Sequence, residues 1–363
     1  MLGSSYIMSK IKLSPSWSLS NEANETLGAE LFLLLDLIHR TGTLTEAAKQ
    51  TGISYRHAWN LVNHWKSFFG SDLVTFIRGK GASLTELGEK LLWAEQRVSA
   101  RVGLQLDSLA SEINLEINRA LTSARTSLTI HASHGYAVAH LPELLKMAPD
   151  VQVDLRYIGA AESLASLNRG DCDLAGFHLP TEGNGQTVIN SLAPLWDQDG
   201  HRFIHLVTRT QGLFVSPENP LGISSIKDLV KNDVKFVNRQ IGSGTRMLFD
   251  QLLAKDNVLS TEIEGYQSEE FTHAAVAAFV ASGMANTGFG VQPAATQFGL
   301  DFIPLAQEKY MFACRSKAIH KKEILELIKL LKSEEFAKYV FNLPGYSAPE
   351  AGEVVTLKQA LSP

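Results

Sequence analysis

The residues best suited to chemistry in this chain lie in short turns, each of which connects an apolar run to a helical pattern. Such turns occur at residues 133–135, 159–160, 242–246 and 267–273. In a parallel sheet the helix N-termini gather at the carboxyl ends of the strands, and each offers free N–H groups and a partial positive charge. Glycine permits close approach of the backbone, and hydroxyl and guanidinium groups add donors. The pattern therefore predicts a binding site for a small anion.

The predicted ligand-binding residues line these turns or add charge and imidazole groups beside them. They are Ser133, His134, Gly135, Gly159, His178, Arg209, Arg239, Gly242, Ser243, Gly244, Thr245, Arg246, Thr272 and His273. We expect Ser133 and Arg246 to donate hydrogen bonds to the anion. We also expect His134 and His178, once protonated, to strengthen binding below about pH 6.5, the ordinary imidazole pKa. For any one histidine alone, a satisfied polar group beside a core is the simpler interpretation.

A second constellation lies at residues 41–69, where two helical patterns are separated by a very short turn. Thr43 or Thr45 can cap the first helix, and Ser54 can cap the second. Apolar residues from Ala58 to Phe69 fall at steps of four, three and four, which is one face of a helix. The alternatives are a helix-turn-helix and two ordinary core helices.

The neighbouring residues favour a winged helix-turn-helix. An apolar helical pattern precedes the pair at 27–41, and a strand, a basic glycine hairpin at 78–81 and another helix follow it. The predicted DNA-binding residues are polar or basic and lie off the apolar face or at the hairpin tip: Thr45, Ser54, Tyr55, Arg56, His57, Asn60, Arg78 and Lys80. At the tip, positive charge would contact phosphates or the minor groove without reading sequence.

Residues 84–122 are predicted to form one nearly continuous helix. Its apolar stripe comprises Leu91, Val98, Val102, Leu106, Leu109, Ile113, Ile117 and Leu121. The stripe can pack on its own domain, or it can pair with the same helix of a second copy, and the length of the helix favours pairing.

After residue 127, strands alternate with helices, which indicates a parallel α/β sheet. The chain builds one lobe, crosses near Arg209, builds a second lobe and returns near residues 305–314. The predicted fold class is α/β: an N-terminal winged helix-turn-helix with a long linker helix, then a two-lobed type II periplasmic-binding-protein-like domain. The predicted boundaries are a flexible segment at 1–26, the DNA-binding domain at 27–97, the linker at 98–126, and the effector domain at 127–357. Lobe I covers about 127–208 and 305–357, and lobe II covers about 209–304.

Composition is that of an ordinary soluble protein. The 363 residues are 45% hydrophobic and 20% charged, with a net charge of −5. Residues 27–101 carry a net charge of +2, so a mildly basic head precedes an acidic remainder of the chain. No apolar run is long enough to span a membrane, and no secretory signal is recognised, so we expect a cytoplasmic protein without a membrane partner. Cys172 and Cys314 are too few for a disulfide framework.

The head resembles the DNA-binding domain of ModE-type regulators, a branch of the LysR-like winged helices. The resemblance covers residues 27–97 and rests on AAKQTGISYRHAWNLV, then FFG, then GKGA and LTELGEKLL. It implies a homodimeric transcription factor, or a tetramer built from such dimers, that binds a double-stranded DNA operator with one second helix in each half-site.

Residues 127–310 resemble the binding-protein-like domain that is fused to ModE-type heads and to molybdopterin-biosynthesis proteins. The stretch FVNRQIGSGTR, at 236–246, is also similar to a turn of periplasmic tungstate- and molybdate-binding proteins. The resemblance implies an oxyanion effector, molybdate or tungstate, ahead of a molybdenum-cofactor precursor or a small carboxylate such as formate. One departure is that molybdate regulators carry small β-barrel domains after the head, and nothing after residue 127 resembles them.

Two other functions use the same residues. An enzyme could use His134, His178, His273, Glu269 and Glu270 as acid–base groups, but no nucleophile elbow, HExxH, CxxC or phosphate loop is present. A metal sensor could use the three histidines, but helix N-termini repel a cation. We therefore expect neither catalysis nor a bound cofactor or metal, only an anionic effector.

Overall fold

The computed structural model describes residues 11–21, 24–77, 79, 81–121, 126–145, 151–181 and 186–361. The predicted DNA contacts Arg78 and Lys80 lie outside these residues. Within the described ranges, none of the helices combines the length and apolarity that crossing a membrane requires.

The head is a three-helix unit followed by a two-stranded wing. Its elements are α1 (Ala29–Thr41), α2 (Leu44–Thr51), α3 (Tyr55–Phe69), β3 (Val74–Ile77) and β4 (Gly81–Leu84). Thr43, not Thr45, caps α2 by accepting a hydrogen bond from the N–H of Glu46 at 3.2 Å. Ser54 caps α3 by accepting from the N–H of His57 at 3.1 Å. The wing lies against the end of α1, where the N–H of Ala82 donates to the carbonyl of Gly42.

The linker is a single helix, α4 (Glu86–Leu121), that packs along its own chain. The N–H groups of Tyr157 and Leu155, on strand β6 (Val151–Tyr157), donate to the hydroxyls of Ser108 and Ser111, each at 2.9 Å. The predicted stripe is therefore divided. Part of it is covered by the effector domain, while Val98, Leu109 and Ile117 remain exposed.

The described part of the N-terminal segment lies on this helix, which differs from the flexible segment predicted over 1–26. A small hairpin joins β1 (Leu19–Ser20) to β2 (Thr26–Leu27). The backbone of Ile11 exchanges hydrogen bonds with the side chain of Asn114. The indole of Trp17 packs on Phe32 and donates to Glu95. Composition alone did not reveal these contacts because they depend on surfaces that are distant in sequence.

The rest of the chain forms a ten-stranded mixed sheet in two lobes, which confirms the predicted fold class. Its strands are β5 (Thr126–Ala132), β6, β7 (Leu174–Pro180), β8 (His201–Val215), β9 (Phe236–Arg239), β10 (Glu269–Glu270), β11 (Thr287–Val291), β12 (Asp301–Arg315), β13 (Tyr346–Ser347) and β14 (Val354–Val355). The order along the main path is β10-β9-β11-β8-β12-β7-β5-β6, and β13 and β14 pair with β8. The long antiparallel strands β8 and β12 form the centre and connect the two lobes.

Helices cover the sheet, and four of them begin at the turns that the sequence singled out. The helices are α5 (Tyr136–Leu144), α6 (Ala160–Arg169), α7 (Gln186–Leu192), α8 (Gly244–Asp256), α9 (His273–Ala281), α10 (Gln292–Gln297), α11 (Lys322–Leu331), α12 (Glu334–Phe341) and α13 (Leu357–Ala360). Within the turn singled out at 267–273, residues 269–270 form a short strand because they pair with Asn238 and Arg239. Ser333 separates α11 from α12 because its side chain caps the second helix at the N–H of Phe336.

Candidate functional site

The buried polar groups of both lobes meet around an ion pair between the two central strands. Arg209 on β8 lies directly opposite Glu308 on β12. Both Nε and Nη2 of Arg209 lie 2.5 Å from Oε1 of Glu308. The residues are only 3% and 1% exposed, so the charge of Arg209 is neutralised inside the protein.

Gln211, two residues along β8, extends this network. Its Nε2 donates to Oε1 of Glu308 at 2.7 Å and to the hydroxyl of Thr245 at 3.3 Å. These two bonds fix the orientation of the amide, because an oxygen in place of Nε2 would face a carboxylate oxygen. Its Oε1 is buried and has no hydrogen-bond partner among the described residues.

Lobe I contributes the turn after β5. Oγ of Ser133 lies 3.2 Å from Nδ1 of His178, and the hydroxyl of Tyr310 donates to the carbonyl of Ser133 at 2.7 Å. A Cβ at Gly135 would lie 3.8 Å from Nη1 of Arg209, at ordinary van der Waals distance, so the backbone at Gly135 runs close to the guanidinium. The structure thus brings Ser133, Gly135 and His178 together with Arg209.

Lobe II contributes Arg239, at the end of β9. Its Nε donates to Oε1 of Gln240 at 3.1 Å and its Nη2 to the carbonyl of Phe271 at 3.0 Å. No carboxylate in the described ranges forms an ion pair with it, although it is only 9% exposed. Burial and the neighbouring Arg209 lower the pKa of Arg239 to about 9, so the group is still charged at pH 7. The site therefore holds one buried positive charge in excess.

Three histidines surround these arginines, and each has a ring nitrogen without a described partner: Nδ1 of His134, Nε2 of His178 and Nδ1 of His273. Burial, followed by the charges of Arg239 and Arg209, lowers the pKa of His134 to about 3. Burial and the same arginines lower the pKa values of His178 and His273 well below the ordinary value. The rings are therefore neutral at pH 7. This differs from our expectation that protonation near pH 6.5 strengthens anion binding.

The guanidinium of Arg246 is used within the structure, in contrast to its predicted role as a hydrogen-bond donor to the anion. Its Nη1 donates to the carbonyl of Arg239 at 3.1 Å, and its Nε donates to Asp250 at 3.3 Å. Glu269 lies 3.5 Å from Nη1, and the ring of Tyr266 lies 4.1 Å from the guanidinium carbon. Two carboxylates and an aromatic ring therefore satisfy this cation.

The remaining predicted residues mostly shape helix N-termini. Ser243 caps α8 through the N–H of Arg246, and Thr272 caps α9 through the N–H of Ala275. Gly159 precedes α6, and Gly242 has a φ of +85° that favours glycine. Gly244 begins α8. Sequence reasoning missed Gln211, Glu308 and Tyr310. One sequence signal was available: polar residues two positions apart in an apolar strand, as at 209 and 211, lie on the same face of the sheet.

The linker helix meets this cluster of buried polar groups at Glu270. The carboxylate is fully buried, and its Oε1 lies 2.6 Å from Nη2 and 2.7 Å from Nε of Arg97. Glu270 pairs in register with Arg239. Thr272 also donates to the carbonyl of Ala100 at 3.0 Å. The helix α4 is thus hydrogen-bonded to β10 and to the start of α9, and both of these elements lie beside the excess positive charge of Arg239.

The helix-turn-helix leaves its predicted DNA-binding residues exposed. Arg56 and Asn60 project opposite the buried face of Ala58, Val62 and Trp65. The other exposed members are Thr45, Ser54, Tyr55 and His57, and Nε2 of His57 lies 3.3 Å from Glu30. Sequence reasoning missed a half-exposed aromatic contact between Trp59 and Phe76 of the wing, with ring centroids 4.8 Å apart.

The described histidines do not form a metal centre. No group of three or more His, Cys, Asp or Glu side chains within the described residues is arranged to hold a metal ion. The arginines beside the three rings favour an anion over a cation.

Comparison with known proteins gives a family match and partial relatives. A model described as the PBP superfamily domain matches residues 142–332. The uncharacterized protein YvgK of Bacillus subtilis (strain 168) is 33% identical over 201 residues, which are 55% of this chain and 64% of YvgK. The molybdenum-pterin-binding protein MopB of Rhodobacter capsulatus is 39% identical over 108 residues, 28% of this chain and 40% of MopB. The chain thus spans less than two thirds of the length of either curated relative.

A solved structure, the Corynebacterium glutamicum OxyR C206 mutant, has a TM-score of 0.41 and 17% identity to this chain. The superposition covers 82% of this chain and 88% of that one.

Because the three histidines are neutral in the folded protein, we expect the protein to lose stability in acid. Because the folded state lowers their pKa values, the unfolded chain takes up protons first as the pH falls below about 6.5. The associated stability is present above that pH and is lost below it. For each histidine, the free energy of unfolding should fall by about 1.4 kcal/mol between pH 7.5 and pH 5.5.

Urea unfolding of His134→Gln at these two pH values checks this. The variant should lose less stability on acidification than the wild type, whereas His320→Gln, at an exposed position, should behave like the wild type. An equal acid dependence in all three proteins would contradict the assignment of a neutral His134.

Proposed function

Because this chain belongs to the PBP superfamily, we propose that its two lobes bind an effector between them and that it is a one-component, ligand-responsive transcriptional regulator. The observation that carries the proposal is the buried charge of Arg239, which has no described carboxylate partner and lies near three neutral histidines. An uncompensated buried cation costs stability, and a bound anion offsets that cost. The effector is therefore a small anion.

The identity of the anion is proposed from the resemblance and from one relative's name. The turn at 236–246 is similar to that of tungstate- and molybdate-binding proteins, and MopB is named a molybdenum-pterin-binding protein. We propose molybdate or tungstate as the first ligands to test, then a molybdenum-cofactor precursor, then a small carboxylate such as formate.

The head is proposed to bind double-stranded DNA through α3 and the wing. The caps and buried face of α3 hold Arg56 and Asn60 outward. Guanidinium and amide groups are the side chains that read guanine and adenine edges in the major groove.

Arg56→Ala should relax base preference in the half-site at a cost of about 1–3 kcal/mol, because a bidentate base contact is lost. Arg78→Ala, in the predicted wing, should weaken binding to all sequences alike, because a phosphate contact carries no sequence information. Footprinting on operator variants measures both effects. Unchanged base preference in Arg56→Ala would remove this residue from the set that reads DNA.

We further propose that the linker helices of two copies pair through the residues that the effector domain leaves exposed. Val98, Leu109 and Ile117 lie on one side of α4 and are 37%, 47% and 45% exposed. Exposed apolar side chains in a row favour association. A dimer would hold two heads at a fixed separation on DNA.

Charges in this stripe should separate the copies. The double variant Leu109→Glu with Ile117→Glu should sediment as a folded monomer that still binds effector. Leu325→Glu is the matched control, because Leu325 is also 47% exposed but lies on α11. An intact dimer of the double variant would contradict pairing through α4.

The proposed signal passes from the cleft to the head through α4. Arg97 and Glu270 form a charged contact beside Arg239, and the guanidinium of Arg97 also lies 4.7 Å from the ring centroid of Phe279. Closure of the lobes on an anion would move β10 and the start of α9, and these contacts would carry the movement to α4. Regulation of this kind needs a coupling free energy of about 1–3 kcal/mol.

Neutral replacement of either partner should uncouple the two sites. An anion identified by thermal-shift screening should change operator affinity of the wild type by about 5–150-fold. In Glu270→Gln and Arg97→Gln this factor should approach one, while each protein still binds anion and DNA separately. Arg40→Gln, which breaks the ion pair of the exposed Arg40 with the half-buried Asp36, is the control. Titration of labelled operator with and without anion measures the factor, and an unchanged factor in both variants would exclude this route.

A further inference from the structure

The amide of Gln211 is held in one orientation by the cleft itself. Its nitrogen donates to Glu308 and to Thr245 at 2.7 and 3.3 Å. Rotation of the amide by half a turn would place its oxygen against the Glu308 carboxylate, where two acceptors would repel each other. Its oxygen therefore lies on the opposite side, away from Glu308.

That oxygen is an unused acceptor inside the protein. Gln211 is fully buried, and its Oε1 has no hydrogen-bond partner among the described residues. Buried polar atoms are nearly always satisfied, so an exception in a native fold needs an explanation. Only a group with an N–H or O–H can satisfy a carbonyl-type oxygen.

The acceptor belongs to the same polar network as the excess positive charge. Gln211 contacts Glu308, which pairs with Arg209, and the charge of Arg209 acts on the adjacent Arg239. Two guanidinium groups against one carboxylate leave a single positive charge. A ligand that matches this site neutralises one charge and also supplies a hydrogen-bond donor.

We propose that the effector is a monoanion that carries a hydrogen-bond donor, and that it donates to Oε1 of Gln211 while Arg239 and the neutral imidazoles bind its anionic group. This inference rests on the proposed function of the cleft. Protonated tetrahedral oxyanions, hydroxycarboxylates and larger anions with N–H or O–H groups meet the requirement. Molybdate, tungstate and formate carry no such donor at neutral pH, so we expect them to bind less tightly than a cofactor precursor that carries one.

A buried acceptor of this kind selects against ligands that lack the donor. Such a ligand leaves the acceptor unpaired, and sites built around a substrate hydroxyl reject analogues without it strongly. We therefore assign Gln211 as the residue that makes the site specific for anions with a hydrogen-bond donor. It acts by changing the binding affinity of the ligand.

Calorimetry with two pairs of anions tests this assignment. Phosphate and sulfate are both tetrahedral, but at pH 6.5 phosphate is mainly a monoanion with O–H donors, whereas sulfate is a dianion without a donor. Glycolate and acetate differ by one hydroxyl. In the wild type, phosphate should bind at least tenfold more tightly than sulfate, and glycolate at least tenfold more tightly than acetate. Gln211→Met should reduce both ratios towards one, and Gln152→Met, on the terminal strand β6, should leave them unchanged.

The outcomes separate this inference from the proposed function. Equal binding within each pair by the wild type would overturn the donor requirement, even if Gln211→Met does not fold, while the anion site itself would stand. Unchanged ratios in a folded Gln211→Met would also overturn it. If the four anions, molybdate and a molybdenum-cofactor precursor all fail to bind, the anion-binding function and this inference are overturned together.

Discussion

The structure of the cleft depends on one ion pair, between Arg209 and Glu308 on the two strands that connect the lobes. Breaking such a buried pair by removing one partner costs about 3–5 kcal/mol, because a charge is left without a partner. Glu308 also fixes the orientation of the Gln211 amide by accepting its hydrogen bond. The single negative charge of Glu308 is neutralised by Arg209. Arg239 is consequently left as the cation without a counter-charge. The properties on which we base the proposed binding site follow from that imbalance.

The same region is mechanically connected to the head. Arg239 pairs in register with Glu270, whose carboxylate is bonded to Arg97 on α4, and α4 continues from the wing without interruption. The helix therefore packs on its own chain and also exposes an apolar stripe. These two surfaces are compatible, since they lie on different sides of the helix. A helix that contacts both a ligand-binding wall and a second copy can transmit small movements, because packed interfaces change between discrete arrangements.

Local patterns in the sequence predicted the parts of the structure that local physics decides. The caps at Thr43 and Ser54, the apolar face of α3 and the alternation of strands and helices all depend on near neighbours. The convergence of Ser133, His178 and Arg209 followed from the topology of a two-lobed sheet. The sequence could not reveal which arginine remains unpaired. Arg246 and Arg239 both border the same glycine turn. The charge of Arg246 is satisfied by contacts with Asp250, Glu269 and Tyr266. Likewise, the partner of Gln211 is almost a hundred residues away in sequence.

In the proposed mechanism, the buried charge of Arg239 is retained for a ligand and not for stability. Thermal unfolding of the wild type and of Arg239→Met, each with and without an anion found by screening, distinguishes these two roles. Without anion, we expect the variant to melt no lower than the wild type, because a buried unpaired charge is removed, and we expect added anion no longer to raise its melting temperature. A variant that melts well below the wild type and is still stabilised by the anion to the same extent would show that Arg239 serves stability instead.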